Sequence, residues 1–214
     1  MIPLHLPDGP LQVVCLAAHP DDVEIGCGGT LLTLAARGGV GATFLTLTGA
    51  PEREEEAAGA AQAFLPGSAS RFARLRDGRL PASWDAVKDA LHALASDVPR
   101  PDLVLAPGPD DAHQDHRLVG SLVPTVWRDS LVLHYEIPKW DGDLGRPAVY
   151  VPLPDELAGR KVDLLDEHYR SQRGRDWWDR EAFLSLLRLR GMECRARYAE
   201  AFTVTKAVLG TGRA

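Results

Sequence analysis

The sequence predicts an α/β fold in which a mostly parallel sheet is flanked by helices. Short, continuously apolar runs such as Gln12–Ala18 and Asp102–Ala106 are typical of strands buried on both faces. Longer segments with apolar residues at helical spacing separate these runs. Because strands that alternate with helices are joined by crossover connections, this order indicates parallel pairing. A length of 214 residues suits one hydrophobic core, and we expect residues 1–214 to form a single domain.

The predicted elements follow one another along the chain. Strands are predicted at Gln12–Ala18, Gly41–Thr48, Asp102–Ala106 and Ser130–Glu136, with a shorter one near Ala148–Val151. Helices are predicted at Gly28–Arg37, Glu52–Leu65, Trp84–Ser96, Asp115–Trp127, Glu156–Ser171 and Asp179–Arg190. Gly38 and Gly39 end the first helix, Pro99 ends the third, and Pro124 kinks or shortens the fourth.

The composition is that of an acidic globular protein. The 24 basic and 30 acidic residues give a formal net charge of -6, which argues against nucleic acid or an anionic membrane as a partner. Cys15, Cys27 and Cys194 stand far apart and form no CxxC pair, which indicates reduced thiols. No apolar run approaches the roughly 20 residues that cross a bilayer, and no leader segment precedes the first strand. We therefore expect a soluble, cytoplasmic protein with no membrane span.

Ionisable residues crowd the end of the first predicted strand. In Ala18–Glu24, AHPDDVE, an imidazole and two carboxylates occupy four consecutive positions directly after an apolar run. Burying three such groups together is unfavourable unless a divalent cation turns their lone pairs into bonds. The alternative is structural, because His-Pro-Asp often forms a turn and Asp21 or Asp22 is suited to cap a helix.

A second cluster, His113–His116 (HQDH), follows the strand predicted at Asp102–Ala106. Ligands of parallel sheets lie beyond the carboxyl ends of the strands, so both clusters are expected at one edge of the sheet. A catalytic zinc ion takes three protein ligands, commonly His and Asp, and leaves a fourth position to water. Fe²⁺ or Co²⁺ suits the same nitrogen and oxygen donors.

We predict three metal ligands, and two further residues that lie at the site without binding the metal. The predicted ligands are His19, Asp22 and His116. Asp21 and His113 remain beside the metal, where a carboxylate accepts the proton of a water and an imidazole acts on the other side of the reaction.

These clusters resemble the signatures of the PIG-L/LmbE-like family of zinc-dependent N-deacetylases. The first family signature, (A)HPDDxE, stands at Ala18–Glu24, and the second, usually HPDH, stands at His113–His116 with Gln114 in place of Pro. Weaker matches lie at Ile25–Thr30, Arg76–Gly78, Tyr135–Glu136, His168–Gln172 and Ala199–Phe202. The resemblance implies a Rossmann-like sheet and the removal of acetyl groups from N-acetylglucosamine-type sugars.

The resemblance also implies a role for each residue that matches a signature. His19, Asp22 and His116 would bind zinc. Asp21 would be the general base, and His113 would steady the oxyanion or protonate the leaving amine. Asp115 would orient His113, and Glu24 would lie behind the metal ligands.

Four further residues are candidates for contact with the substrate. Arg53, with Glu56 one turn further on, resembles a family Arg-x-x-Glu that touches substrate, and Asp77 resembles a carboxylate that holds sugar hydroxyls. His168 and Gln172 lie one helical turn apart and either point into the pocket or link packed elements.

Other motifs have structural interpretations. Gly26–Gly29 lacks the spacing of a dinucleotide loop, and we expect a turn that lets a helix begin close to the metal. We expect His92 and His134 to be structural.

The sequence therefore predicts a zinc-dependent hydrolase that releases acetate from a small-molecule amino-sugar substrate. Lipid-linked sugars, nucleotide sugars, glycan intermediates and thiol-sugar precursors are alternative forms of that substrate. Other functions left open are hydrolysis of another acyl amide or of a thiol-sugar conjugate, and a non-catalytic metal-binding domain of the same fold. The resemblance allows a homo-oligomer.

Overall fold

The computed structural model describes residues 3–209 and confirms an α/β fold with one seven-stranded sheet. The strands are β1 (Leu11–Ala17), β2 (Val40–Thr48), β3 (Ala69–Leu75), β4 (Leu103–Pro107), β5 (Leu131–Tyr135), β6 (Val149–Leu153) and β7 (Tyr198–Val204). The helices are α1 (Asp22–Arg37), α2 (Pro51–Phe64), α3 (Trp84–Asp97), α4 (Gln114–Val126), α5 (Asp155–His168) and α6 (Arg180–Cys194). Short 3₁₀ turns lie at Leu80–Ser83 and Arg170–Gln172.

The sheet is mostly parallel, with strand order β3-β2-β1-β4-β5-β7-β6. Strands β1 to β5 pair in parallel, whereas β7 runs antiparallel to both β5 and β6. The first five strands follow the order of a Rossmann-like sheet. In this order the chain moves outward from β1 on one side and then from β4 on the other, so the strand order reverses between β1 and β4. The crevice at the carboxyl ends of these two strands is therefore the expected ligand site.

Helices cover both faces of the sheet, because consecutive residues of each buried strand point to opposite sides. Val13 and Cys15 of β1 belong to a core that also contains buried residues of α1, α2, α5 and α6. Val14 and Leu16 belong to a second core, formed with α3 and α4. With apolar side chains on both faces, β1 is fixed between two layers and its carboxyl end is held rigidly.

Helix α1 begins earlier than predicted and contains a kink. It starts at Asp22 rather than Gly28, and the backbone of Cys27 leaves helical geometry with φ -143° and ψ 21°. A Cβ at Gly26 would overlap the Tyr135 ring, and one at Gly28 would overlap the Phe64 ring. The Gly26–Gly29 segment thus brings α1 close to its neighbours and gives no sign of a nucleotide loop.

Strands β3 and β7 were not predicted from the sequence. β3 is an edge strand with several exposed residues, so it lacks the apolar run by which the other strands were recognised. β7 contains the buried charged residue Glu200 between Ala199 and Ala201, and this residue interrupts the apolar pattern.

Within residues 3–209, no helix has the length and apolar character needed to cross a membrane.

Candidate metal centre

The two predicted clusters meet at the carboxyl ends of β1 and β4. His19 follows β1 directly, and Asp22 is the first residue of α1. His113 lies at the N-terminus of α4, and His116 is in the first turn of that helix. Both segments therefore reach the crevice in which the strand order reverses.

Three side chains converge on one point. His19 Nδ1 and His116 Nε2 lie 3.0 Å apart. Asp22 Oδ1 is 3.3 Å from His116 Nε2, and Asp22 Oδ2 is 3.6 Å from His19 Nδ1. The backbone N–H groups of Ala18 and His19 donate to Asp22 Oδ2 over 2.9 and 2.8 Å, so the turn itself fixes this carboxylate.

This arrangement fits a divalent metal ion. Donor atoms bound at ~2.0–2.1 Å in a tetrahedral site are separated by roughly 3.3 Å. The separations between His19, Asp22 and His116 are 3.0, 3.3 and 3.6 Å, with Asp22 Oδ1 nearer to His116 and Asp22 Oδ2 nearer to His19. Two further groupings are also compatible with an ion, since ligand atoms of His19, His113 and His116 lie within 4.8 Å of one another, and so do those of His19, Asp77 and Asp115. Two imidazoles and a carboxylate are donors that zinc, iron and cobalt accept.

Asp22 attracts both imidazoles, whereas the two imidazoles repel each other when they are protonated. Burial raises the pKa of Asp22, but His116 and His19 lower it well below its ordinary value. Burial lowers the pKa of His19, whereas Asp22 and two further carboxylates raise it to about 12. Burial likewise lowers the pKa of His116, whereas Asp22 and Asp111 raise it, and the result is a pKa of about 9. The cluster is thus a concentrated region of negative charge that stabilises cations.

Carboxylates also contact the outer nitrogens of the two imidazoles. Asp111 Oδ2 lies 3.1 Å from His116 Nδ1. His19 Nε2 lies 3.2 Å from Asp77 Oδ1 and 3.4 Å from Asp115 Oδ2, although no well-aligned hydrogen bond reaches it among residues 3–209. Carboxylates behind metal-binding histidines commonly fix their orientation and raise their basicity.

Asp111 is a site residue that the sequence reasoning missed. Its Oδ1 accepts a hydrogen bond from the His113 backbone N–H over 2.7 Å, and its Oδ2 contacts both His116 and Lys139. Its position two residues before His113, in the same loop after β4, is the signal that could have identified it.

Asp21 is buried at the edge of the cluster in a strained backbone conformation. Its φ of 112° is unfavourable for any residue except glycine, and such strain is often found at functional sites. Arg53 Nη2 donates to Asp21 Oδ2 over 2.6 Å and also to the Pro20 carbonyl. Burial raises the pKa of Asp21 and Arg53 lowers it, and the balance is a pKa of about 7.

His113 lies across the cluster, with its ring centroid 4.8 Å from those of both His19 and His116. The Asp115 backbone N–H donates to His113 Nδ1 over 3.2 Å. A nitrogen that accepts a hydrogen bond carries no proton, so in neutral His113 the proton is on Nε2. Burial lowers the pKa of His113, and the neighbouring His19 and His116 lower it further.

The carboxylate of Asp115 lies beside His19, whereas the resemblance implied that it orients His113. It accepts hydrogen bonds from the backbone N–H groups of Gly78 and Leu80 over 2.8 and 3.1 Å. Its contact with His113 is made through the backbone N–H. Asp115 therefore anchors the segment after β3 to the metal centre.

The candidates for substrate contact occupy different environments. Asp77 is mostly exposed, with 75% of its side chain accessible, next to His19. Arg53 is committed to internal partners, since its Nη1 donates to Glu56 Oε2 and Ser171 Oγ over 3.1 and 2.9 Å. Gln172 is buried and its Nε2 donates to Ser171 Oγ over 3.0 Å.

Two other candidates are embedded among the helices. The His168 ring packs beside Gly59 of α2 and is half-buried. Glu24 lies behind the ligands, where its Oε2 accepts a hydrogen bond from the Tyr169 hydroxyl over 2.7 Å. Burial raises the pKa of Glu24 to about 7.

The profile of the PIG-L family, described as GlcNAc-PI de-N-acetylase, matches residues 14–127, more than half of the chain. The chain belongs to this family. The matched range contains all three predicted ligands of the PIG-L signatures, together with Asp21 and His113. Family membership supports a de-N-acetylase and a metal-dependent site. No curated protein matches the chain significantly in sequence.

Solved structures with the same fold cover almost the whole of this PIG-L protein. The conserved protein TT1542 from Thermus thermophilus is 28% identical, with a TM-score of 0.73 over 95% of this chain and 100% of its own. An N,N'-diacetylchitobiose deacetylase from Pyrococcus horikoshii is 24% identical, with a TM-score of 0.72 over 91% and 83%. The 4-carboxy-2-hydroxymuconate hydratase GalB from Pseudomonas putida is 17% identical, with a TM-score of 0.77 over 95% and 100%.

Proposed function

We propose that this protein is a metal-dependent N-deacetylase that releases acetate from an N-acetylglucosamine-type amino sugar. The observation that carries the proposal is the convergence of His19, Asp22 and His116, at separations that match the donors of one ion. Asp21 and His113 lie beside these ligands but are not among the three residues that converge. A domain that only binds a metal has no need of this additional pair.

His19, Asp22 and His116 are the residues that would hold the ion, with Zn²⁺ as the first choice and Fe²⁺ or Co²⁺ as alternatives. When bound, such an ion supplies Lewis-acid chemistry, which polarises a carbonyl oxygen and lowers the pKa of water. Asp111 contacts the outer nitrogen of His116 and Asp115 lies beside that of His19, so these carboxylates are placed to orient the two imidazoles before any substrate arrives.

Asp21 is proposed as the general base that accepts a proton from the attacking water. A base is most effective when its pKa lies near the working pH, and that of Asp21 is about 7. Arg53 fixes one carboxylate oxygen by a hydrogen bond and thereby fixes the direction of the other. The same carboxyl group can then return the proton to the departing amine, since an amide anion is too poor a leaving group to depart alone.

His113 is proposed to stabilise the negative charge that develops on the substrate oxygen. Because its Nδ1 accepts from Asp115, neutral His113 offers an Nε2–H donor, and its lowered pKa favours this neutral form. Loss of one such donor typically raises a reaction barrier by ~2.7–4 kcal/mol. This arrangement favours charge stabilisation over the alternative in which His113 protonates the amine.

An amino sugar is the proposed substrate class. Asp77 presents an exposed carboxylate next to His19, where it is suited to accept hydrogen bonds from sugar hydroxyl groups. The name of the Pyrococcus horikoshii neighbour, a diacetylchitobiose deacetylase, supports the same class. The hydratase GalB shares the fold, so the fold by itself does not determine the reaction.

The decisive experiment is an acetate-release assay over a panel of N-acetylated amino sugars, with and without a chelator. We expect release that a chelator abolishes and added Zn²⁺ restores. His116→Ala should lose both zinc and activity, whereas His92→Ala, at an exposed position of α3, should keep both. Chelator-insensitive release, or full zinc content in His116→Ala, would contradict the proposal. Absence of release across the panel would also contradict it and would direct attention to water-addition chemistry.

A further inference from the structure

The 3₁₀ turn Arg170–Gln172, which follows α5, is connected to the proposed general base Asp21 by a chain of hydrogen bonds. Arg53 and Glu56 of α2 stand between this turn and Asp21. The turn lies beyond residue 127, at which the match to the PIG-L profile ends. A part of the chain outside the matched range therefore reaches the site.

Ser171 uses the full hydrogen-bonding capacity of its hydroxyl group. The hydroxyl donates to Glu56 Oε2 over 2.7 Å, and it accepts from Arg53 Nη1 and Gln172 Nε2 over 2.9 and 3.0 Å. A serine hydroxyl has one proton and two lone pairs, so all three are occupied. The Ser171 backbone N–H also donates to Glu56 Oε1 over 2.8 Å. Both carboxylate oxygens of Glu56 are thus fixed by one residue of the turn.

Arg53 carries this constraint to Asp21. Its guanidinium is planar and rigid, so the partners of one terminal nitrogen determine where the other points. Nη1 donates to Glu56 Oε2 and Ser171 Oγ, and Nη2 donates to Asp21 Oδ2 over 2.6 Å. The guanidinium also lies over the Tyr169 ring, with Cζ 5.5 Å from the ring centroid. Since only 17% of the Arg53 side chain is accessible, these contacts leave it little freedom to turn.

The Asp21 carboxylate depends on Arg53 for its orientation. Asp21 is the N-cap residue of α1, yet its side chain makes no capping hydrogen bond and its φ is 112°. Within residues 3–209, the hydrogen bonds of its carboxylate go to Arg53 alone. The direction of Nη2 therefore sets the direction of both Asp21 oxygens. A misplacement of about 1 Å in a reacting group can cost about 10²-fold in rate.

We propose that Ser171 is a positioning residue, which acts through Glu56 and Arg53 to direct the Asp21 carboxylate toward the attacking water. This inference rests on the proposed function. It makes Arg53 a support of the base, in place of the substrate contact expected from the sequence. The two roles differ in kinetics, because loss of a support lowers kcat whereas loss of a binding contact raises KM.

The kinetic test compares Ser171→Ala with Ser171→Thr, which keeps the hydroxyl group. The substrate is the N-acetylated sugar of the panel that releases acetate fastest. We expect Ser171→Ala to lower kcat by about 10–100-fold, with KM and zinc content close to the wild-type values. Ser171→Thr should restore most of kcat. Ser185→Ala, on the exposed face of α6, is the matched control and should keep wild-type kcat. Unchanged kcat in Ser171→Ala, a rise in KM alone, or equal losses in the two Ser171 variants would overturn the inference.

Glu56→Gln tests the same connection from the other side. Its amide group replaces one acceptor oxygen by an N–H donor, which would face Arg53 or Ser171, both donors to Glu56. We expect a loss of kcat similar to that of Ser171→Ala. The double variant should lose little more than either single variant, because both substitutions act through Arg53. Losses that multiply in the double variant would contradict a shared route.

A measurement without substrate separates this inference from the proposed function. The ¹⁵N resonances of Arg53 Nη1 and Nη2, identified by their absence in Arg53→Lys, report rotation of the guanidinium. We expect separate resonances in the wild type, Ser171→Thr and Ser185→Ala, and exchange-averaged resonances in Ser171→Ala. Separate resonances in Ser171→Ala would overturn the inference even if acetate is released. If no sugar releases acetate, the proposed function fails, and this comparison still decides whether Ser171 orients Arg53.

Discussion

Helix α1 is flanked by two buried clusters of charged side chains that differ in how their lone pairs are used. At its start lies the proposed metal centre, where His19, Asp22 and His116 point at one another. Beside its kink lies the pair formed by Lys161 of α5 and Glu200 of β7, joined at 2.7 Å and equally buried.

The Lys161–Glu200 pair is satisfied by internal partners. Glu200 accepts hydrogen bonds from both Gly29 and Thr30 backbone N–H groups, over 2.7 and 2.6 Å, and from the Thr30 hydroxyl. Lys161 also donates to the Ile25 carbonyl over 2.6 Å. Glu200 thus caps the part of α1 that follows the kink at Cys27.

The comparison teaches that buried charge alone does not identify a functional site. In the Lys161–Glu200 pair the charged atoms bond to backbone groups and to each other, and they stabilise a kinked helix. In the metal centre the lone pairs of three residues point at a common position, with Asp21 held beside it by Arg53. Lone pairs of several residues that converge on one position are therefore the observation that indicates chemistry.

The largest expected effect is the loss of turnover in Asp21→Asn. We expect kcat to fall by about 10²–10⁴-fold, the usual contribution of a general base, with fold and zinc content retained. Acetate release and metal analysis check this result. Asp89→Asn, on the exposed face of α3, serves as the control. Full activity in Asp21→Asn would exclude Asp21 as the base.

The second effect is a loss of stability in Glu200→Ala. Removal of one partner leaves Lys161 buried without a counter-charge, which typically destabilises a protein by about 3–5 kcal/mol. Urea denaturation measures the free energy of unfolding, with Glu55→Ala, on the exposed face of α2, as the control. The molecules that remain folded should retain most of their kcat. If Glu200→Ala instead stayed stable and lost as much turnover as Asp21→Asn, the distinction between the two clusters would be wrong.

A smaller effect is expected behind the metal centre in Asp111→Asn. Loss of the carboxylate that contacts His116 Nδ1 should weaken zinc binding by about 10–100-fold, as for other residues that orient metal ligands. Competition with a chromogenic chelator measures the affinity. Wild-type affinity in Asp111→Asn would show that His116 needs no support from this carboxylate.

The smallest effect is expected for an exposed ion pair, which shows what burial contributes. Arg71 and Asp97 lie 2.6 Å apart with about half of each side chain accessible. A double-mutant cycle of Arg71→Gln and Asp97→Asn should give a coupling energy of about 0.2–1 kcal/mol. A value as large as that of the Lys161–Glu200 pair would show that burial is not what separates the two cases.

The sequence was sufficient to predict that the two clusters lie together, because most of the residues involved are local to two strand ends. His19 and Asp22 are three residues apart at the end of a recognisable strand, and His116 follows another such strand. Parallel pairing brings the carboxyl ends of these strands together. Two local patterns were therefore sufficient to predict that clusters far apart in sequence lie close together in the fold.

Other features could not be predicted from the sequence, because they depend on contacts between residues that are far apart in the chain. Lys161 and Glu200 are 39 residues apart in sequence and join α5 to β7, which was not predicted as a strand. The kink at Cys27 depends on Glu200 as a cap and on close packing at Gly26.

The most direct test of the account is the position of the metal itself. Crystals of the protein grown with zinc, measured at the zinc absorption edge, locate the ion by its anomalous scattering. The account predicts one peak at ~2.0–2.2 Å from His19 Nδ1, a carboxylate oxygen of Asp22 and His116 Nε2. A peak held by Asp77 and Asp115 without His116, or no peak between these three ligands, would contradict it.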